Sequence, residues 1–318
     1  MSPALSIQRP SFRTKRKKKA MSTLFYTCMV LIPLAQFFIF YGVVNFNSIL
    51  LAFKSYDNST GVVVESWIGW GNFKRVFQIF RSEQTLWIAT KNSLLYFAFN
   101  LCVVIPLSML FAYYIYRGYP AAGFFKVMLF LPAVICSMVL VIFFKEFVET
   151  AIPELMERWF HDDGWYAILS SENKGPVALM TFYVWFLFSG SILLYLNAMG
   201  NIPKSLIEAA QIDGAGEFRT FWRVVIPTIW PTLVSLIVLA LADLVANQAS
   251  LFSIYGIFAP TWSQTLGYYQ FFLVAKYGAD SPVNYPLASA FGLLFTAIVA
   301  PLTLLLRYLL TRFGPRED

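Results

Sequence analysis

A chain of 318 residues that is 58% apolar, 18% aromatic and only 13% charged, with a mean hydropathy of +0.62, is too oily for a soluble domain, so the bilayer is its solvent. The formal charge of +7 would point to nucleic acid in a soluble protein. Here Arg13, Lys15, Arg16, Lys17, Lys18 and Lys19 stand immediately before the first apolar run, where they read as a cytoplasmic anchor and call for no nucleic-acid partner.

A membrane-crossing helix needs about 20 mostly apolar residues, because only an intact helix satisfies its own backbone in hydrocarbon. Six such spans are expected, at about 21–44, 92–116, 124–145, 176–199, 229–250 and 284–311. The first is too long for a secretory signal and lacks a small-residue cleavage site, so it reads as an uncleaved span. The fold class is therefore all-α and polytopic, with a basic cytoplasmic tail over residues 1–20 and one membrane domain over residues 21–318. An even number of spans puts both termini on one side. With that side cytoplasmic, inner segments hold fifteen of the 24 basic residues against five acids, and outer segments hold eleven of the 17 acids against nine basic residues. This is the positive-inside asymmetry of a bacterial or archaeal cytoplasmic-membrane protein.

Between the first two spans, residues 45–91 form an outer segment that is amphipathic, with Trp67, Trp70, Phe73, Val76 and Phe77 available to the membrane or to other helices. The outer segment at 146–175 is acidic and contains His161, which reads as a solvated loop residue. The outer segment at 251–283 is rich in Tyr, Phe and Gly. Cys28, Cys102 and Cys136 fall inside apolar runs without metal-ligand or redox spacing and read as packing residues. The sequence offers no metal cluster and no catalytic elbow. Gly118 and Gly123 have the gap of a phosphate-binding loop but continue into Phe124 and Phe125 instead of Lys and Ser or Thr. The chain is thus expected to be no enzyme and to bind no cofactor, so any ATP hydrolysis belongs to another chain.

The fourth and fifth spans are joined by a cytoplasmic loop at about 200–230, whose apolar residues recur as on an amphipathic helix. Asn201 is the expected cap of a helix opened by Pro203, with Leu206, Ile207 and Ala210 on one face. Gly214 and Gly216 interrupt it. A second helix places Phe218, Phe221, Trp222 and Val225 at one spacing, with Glu217, Arg219 and Arg223 on its flanks, and Pro227 ends or bends it. Amphipathicity alone also fits a helix pair lying in the headgroups.

The particular residues go further. Glu208-Ala209-Ala210, Gly214 and, after nine residues, Val224-Val225-Ile226-Pro227 closely resemble the E-A-A-x3-G-x9-I-x-L-P signature of permeases of binding-protein-dependent ABC importers, with Val224 in place of Ile and Ile226 in place of Leu. Leu31-Ile32-Pro33, Ser48-Ile49-Leu50-Leu51-Ala52-Phe53, Gly69-Trp70-Gly71-Asn72-Phe73, Asn92-Ser93, Leu131-Pro132, Ile202-Pro203 and Pro260 with Thr265-Leu266 and Tyr269 resemble the first permease of maltose-type carbohydrate systems. Around Asn247 to Gly256 the chain departs from the family's Phe-Asp pair and Thr-Gly-Gly-Pro run, which bears on substrate identity rather than fold. The resemblance implies that the loop is a coupling helix docking into an ATPase subunit. The implied partners are a second, homologous permease, two ATP-binding subunits that hold ATP and Mg, and an extracytoplasmic solute-binding protein. The cargo would be a carbohydrate.

Polar residues at membrane depth are costly unless paired or facing a wet cavity. Asp243, Asn247 and Gln248 on the fifth span are the clearest group, the first two being four residues apart on one helical face. Asn100 and Asn197 are additional candidates. Each either lines a substrate path or hydrogen-bonds between helices. A free-standing secondary transporter would need half-helix repeats and ion-coupling carboxylates that the sequence lacks; a membrane scaffold or lipid-modifying enzyme is the other rival. For the topology, a single cysteine placed at Asp163 in a cysteine-free background is expected to react with impermeant reagents from the outer side, and labelling from the cytoplasmic side alone would overturn it.

Overall fold

The computed structural model describes residues 12–57, 64–161, 163–275 and 284–315, and the side chains of 12–20 and 163 are outside that description. The basic tail's side chains and parts of all three expected outer segments (58–63, 162 and 276–283) therefore lie outside the described residues. Among the described residues, five helices are long and apolar enough to cross a membrane: α1 (Met21–Leu51), α3 (Gln84–Tyr116), α6 (Gly175–Gly200), a fifth-span helix described below, and α12 (Tyr285–Phe313). The expected third span is not one straight helix. It is a pair, α4 (Ala122–Val134) and α5 (Ser137–Phe160), bent by 102° at Ile135 and Cys136. Pro132 lies one turn before the break and contributes no N–H, and Ile135 and Cys136 are extended, with ψ of 140° and 131°. The fold is all-α and polytopic, with six crossings when the bent pair counts as one.

Prolines shape the other spans as well. The α-helical ladder widens into a π turn at Asn100–Val104, Phe147–Ala151 and Phe221–Val225, and each turn ends two residues before Pro106, Pro153 and Pro227 respectively. A proline leaves the carbonyl four residues upstream without its N–H and pushes against it, and a wider turn relieves both.

The amphipathic segment expected after α1 contains two strands, β1 (Lys54–Asp57) and β2 (Val64–Trp67), antiparallel with Lys54 opposite Trp67, followed by α2 (Gly71–Ser82). In α2 the buried face is Val76 with the partly buried Phe73, Ile79 and Phe80, packed with Phe291 and Phe295 of α12, whereas Trp67, Trp70 and Phe77 stay exposed. Gly69 takes φ +55°, a left-handed conformation suited to glycine. Asn72 is buried, and its Nδ2 donates to Ala52 O at 2.9 Å and Lys54 O at 2.7 Å, tying the end of α1 to this segment.

After α6 come α7 (Lys204–Ile212) and α8 (Glu217–Thr220), which continues through a π turn into Ile226–Thr228. The fifth span runs Trp230–Tyr255 and comprises α9 (Trp230–Ala246), a break at Asn247 and Gln248, and α10 (Leu251–Tyr255). Then α11 (Leu266–Ala275) precedes α12. Three clusters form the core. One joins α3, α6 and α8 through Met109, Tyr113, Ile192, Tyr195 and Phe221; a second gathers Phe144, Phe182 and Tyr268; the third joins α2, α11 and α12. Helix α1 buries nothing against the rest of the chain along most of its length.

One end of the bundle is stitched by side chains. Asn92 Nδ2 donates to Trp262 O at 2.7 Å and Gln264 O at 2.9 Å, and Ser93 Oγ accepts the Leu266 N–H at 2.9 Å. Thr265 Oγ1 donates to Asn247 O at 2.8 Å, and Tyr269 OH donates to Glu83 at 2.8 Å. Replacing Asn92 by Ala strands two carbonyls of the 260–266 turn. It is expected to destabilise the folded protein by about 2 to 4 kcal/mol, read as a lower midpoint in denaturant-induced unfolding, with Ser93→Ala costing less.

Candidate functional site

Two regions carry the residues expected to work: the loop at 200–230 and the polar surfaces within the helical bundle. In the loop, Asn201 is not the cap of the first helix. It closes α6, its N–H bonded to Ala198 O, and Pro203 (ψ 127°) stands at the start of α7 without a side-chain cap. The other end of α7 is built on the glycine of the signature. Gly214 N–H bonds Gln211 O at 3.0 Å and Ala215 N–H bonds Ala210 O at 2.9 Å, with Gly214 at φ +73°. This reciprocal pair is the Schellman closure, which requires a left-handed residue at this position and therefore favours glycine.

The apolar faces also differ from expectation. Of Leu206, Ile207 and Ala210, only Ile207 is buried, at 6% exposure, while Leu206 is exposed and Ala210 intermediate. In α8, Phe221 and Val225 go into the core with Thr220, whereas Phe218 (79%) and Trp222 (55%) are exposed with their rings 6.1 Å apart. The π turn at Phe221–Val225 changes the helical phase, which a constant 3.6-residue repeat does not anticipate. Ile207, Phe221, Val225 and Ile226 thus root the loop in the core formed with α3 and α6, and Val224 packs against that core. Thr228 Oγ1 donates to Val224 O at 2.7 Å, just past Pro227. Glu208, Ala209, Leu206, Ile212, Phe218 and Trp222 are presented outward.

One charged contact fastens this loop to the end of α3. Arg117 grips the Glu217 carboxylate through Nε at 3.0 Å and through Nη2, and Tyr113 OH donates to the same carboxylate at 2.6 Å. Sequence reasoning placed Glu217 on a flank and gave Arg117 only a topological role; their separation of 100 residues left no local signal. The Arg117 guanidinium, with Tyr113 assisting, holds the Glu217 carboxyl below its ordinary value, against a smaller opposing effect of burial. Trp230 Nε1 donates to Leu310 O at 3.0 Å, so the end of α3, the loop and the end of α12 lie together at one end of the bundle.

Within the bundle, Asp243 and Asn100 line a cavity of about 680 Å³ bounded by α3, α6, α9 and the break in the bent pair, with Ser137, Ser189, Ser191 and Tyr195 among its walls. The Tyr195 hydroxyl is buried without a hydrogen-bond partner. Asn247 is turned elsewhere: its amide donates to Tyr183 OH at 3.1 Å and its Oδ1 accepts the Ala249 N–H at 2.7 Å, capping the end of α9. The helix stops at Ala246, so Asp243 and Asn247 do not present one continuous face. Gln248 opens on a different cavity of about 750 Å³, beside Asn45, Gln270 and Tyr285. Asn197 is exposed and lines neither of these cavities.

Residues 104–318 match the family model described as the inner membrane component of binding-protein-dependent transport systems. The polygalacturonan/rhamnogalacturonan transport system permease protein YteP of Bacillus subtilis is 26% identical over 240 residues, which is 73% of either chain. The multiple sugar-binding transport system permease protein MsmF of Streptococcus mutans is 24% identical over 255 residues, covering 80% of this chain and 85% of that one. A chain from the crystal structure of a bacterial ABC transporter that imports the acidic polysaccharide alginate superposes with a TM-score of 0.73 at 20% identity, over 94% of this chain and 99% of that one.

The charged tie yields a pH-dependent expectation. A carboxyl whose folded value is depressed stabilises above its unfolded value and loses that contribution as pH falls through the depressed folded value. A double-mutant cycle on Arg117→Ala and Glu217→Ala is expected to give a coupling of about 0.5 to 1 kcal/mol at pH 7, modest because Glu217 is half exposed, and to fade progressively as pH falls below the ordinary value of 4.5 and through the depressed folded one. Thermal unfolding of the four proteins at pH 7 and at lower pH measures it.

Proposed function

Since the chain belongs to the family of inner membrane components of binding-protein-dependent transport systems, we propose that it is the permease subunit that conducts a sugar or oligosaccharide through an ABC importer of the cytoplasmic membrane. The permease itself catalyses no reaction. Its partners are a second, homologous permease, two ATPase subunits that bind ATP and Mg, and an extracytoplasmic solute-binding protein, and both termini face the cytoplasm. Supporting the cargo assignment, the relatives above include permeases named for carbohydrate transport.

The observation that carries this reading is the form of the loop at 200–230. Ile207, Phe221 and Val225 fix it in the core while Glu208, Ala209 and an exposed apolar set of Leu206, Ile212, Phe218 and Trp222 stand clear of the chain. A rigidly rooted patch with small residues for close approach, one anchoring carboxylate and uncovered aromatic rings has the chemistry of a docking surface. Closure of the ATPase pair would push on α7. Through Phe221 and the Arg117–Glu217 grip that push reaches α3 and, through Trp230, the end of α12. Helices α3, α6 and α9 wall the cavity holding Asp243 and Asn100, so the same displacement alters the substrate path.

Glu208→Lys reverses the anchor charge, and Gly214→Trp adds both bulk and left-handed strain at the turn. Loss of a buried charged hydrogen bond at an interface costs about 2 to 5 kcal/mol, or roughly one to three orders of magnitude in association. Both variants are expected to reach the membrane at near-normal levels and to lose sugar-stimulated ATP hydrolysis, the ATPase subunits, or both. Gly214→Ala separates the causes, because it carries the strain of about 1 to 2 kcal/mol without the bulk. Full coupled hydrolysis in Glu208→Lys and Gly214→Trp refutes the assignment.

A further inference from the structure

A cavity of about 410 Å³ lies beside Glu83, whose carboxylate accepts the Tyr269 hydroxyl, and three others, of about 680, 750 and 340 Å³, open among the membrane helices. The walls of these three are amides, hydroxyls, rings and aliphatic groups, and among the described residues that line them the one carboxyl is that of Asp243. No described lysine, arginine or histidine lines any of the three. Asp243 is exposed on α9, and its carboxylate has no hydrogen-bonding or ion-pair partner among the described residues. The Tyr183 hydroxyl is already engaged by Asn247, whose Nδ2 donates to it at 3.1 Å. A polar group left uncommitted at membrane depth is there to meet something that passes.

We propose that Asp243 is a specificity-determining residue that makes this path anionic, so that the carbohydrate conducted is one without carboxylate groups and uronic-acid oligosaccharides are excluded. The proposal rests on the carbohydrate-permease reading and narrows it. A carboxylate accepts hydrogen bonds from vicinal hydroxyls of a neutral sugar ring, each charge-assisted and stronger than a neutral pair. A uronate offers the same site a second negative charge, and no described residue supplies a cation in the cavity to offset it. At an effective dielectric of about 20 and a separation of roughly 6 to 8 Å, the repulsion amounts to a discrimination of about thirtyfold to a hundredfold. The chain is therefore expected to differ in cargo both from the importer of an acidic polysaccharide whose fold it shares and from its relative YteP, which is named for polygalacturonan and rhamnogalacturonan transport.

The test bypasses the solute-binding protein, which makes its own selection. The assembled permease–ATPase complex is purified, and equilibrium binding is measured for matched labelled tetrasaccharides that differ only in oxidation at C6: galactose against galacturonate, glucose against glucuronate, mannose against mannuronate. The neutral member of the preferred pair is expected to bind at least tenfold more tightly than its uronate, with the ratio shrinking as salt rises. In Asp243→Asn the ratio is expected to fall toward one because uronate affinity improves, and in Asp243→Lys it is expected to invert. A merely structural role would weaken both members equally and leave the ratio alone, which overturns the proposal, as does wild-type preference for a uronate. If no carbohydrate binds and none is transported with any binding protein, the permease reading itself fails and the proposal falls with it.

Discussion

In hydrocarbon, a peptide N–H or C=O without a partner costs several kcal/mol, and no water is at hand to supply one. The bundle obeys that constraint where its helices are regular and answers it specifically where they are not. Pro106, Pro153 and Pro227 are each preceded by a π turn that redistributes the neighbouring bonds. The break at Ile135 and Cys136 borders a cavity that also receives the π turn beginning at Asn100. Irregular backbone and polar side chains thus converge on the same interior surface, which is where a membrane protein tolerates both.

The constraint also explains the loop at 200–230. A helix pair at the end of a bundle needs a reason to hold its position, and here Ile207, Phe221 and Val225 bind it to the core while Gly214 closes α7 without wasting a carbonyl. What stays outside is an unusual set for a surface: Ile212 at 86% exposure and Phe218 at 79%. Rigid attachment on one side and uncovered apolar area on the other suit a part that transmits displacement. The Arg117–Glu217 contact adds direction, because it links the loop to the end of one helix rather than to the bundle at large.

Much of this was legible in the sequence. Hydropathy located the membrane helices, since a run of about 20 apolar residues has few other fates in a polytopic chain. The signature from Glu208 to Pro227 located the loop. Boundaries were less accessible: α3 begins at Gln84, well before the expected residue 92, because Leu86 and Ala89 gain burial from their neighbours. In and around α8, Phe221 and Val225 were read correctly as buried, whereas Phe218 and Trp222, expected at the same spacing, stay exposed. Asn247 looked like a partner for Asp243 from a spacing of four, yet the helix ends between them and its amide is taken by Tyr183. Asn72, Asn92, Ser93 and Thr265 sit in motifs that the resemblance flagged, and their place in the structure is to hold distant turns, a role that only tertiary contact reveals.

That last role has a temporal side. The hydrogen bonds of Asn92 reach carbonyls 170 and 172 residues further along the chain. A ribosome adds about 5 to 20 residues each second, so the second span waits roughly ten to thirty seconds after its own synthesis before those acceptors exist. During that interval the early helices can insert singly, most of α1 having no intrachain packing to await, but this end of the bundle cannot close. Assembly of the permease is therefore gated by translation of its last third, and a nascent chain halted before residue 266 remains an open, incompletely bonded intermediate exposed to the quality-control proteases of its membrane.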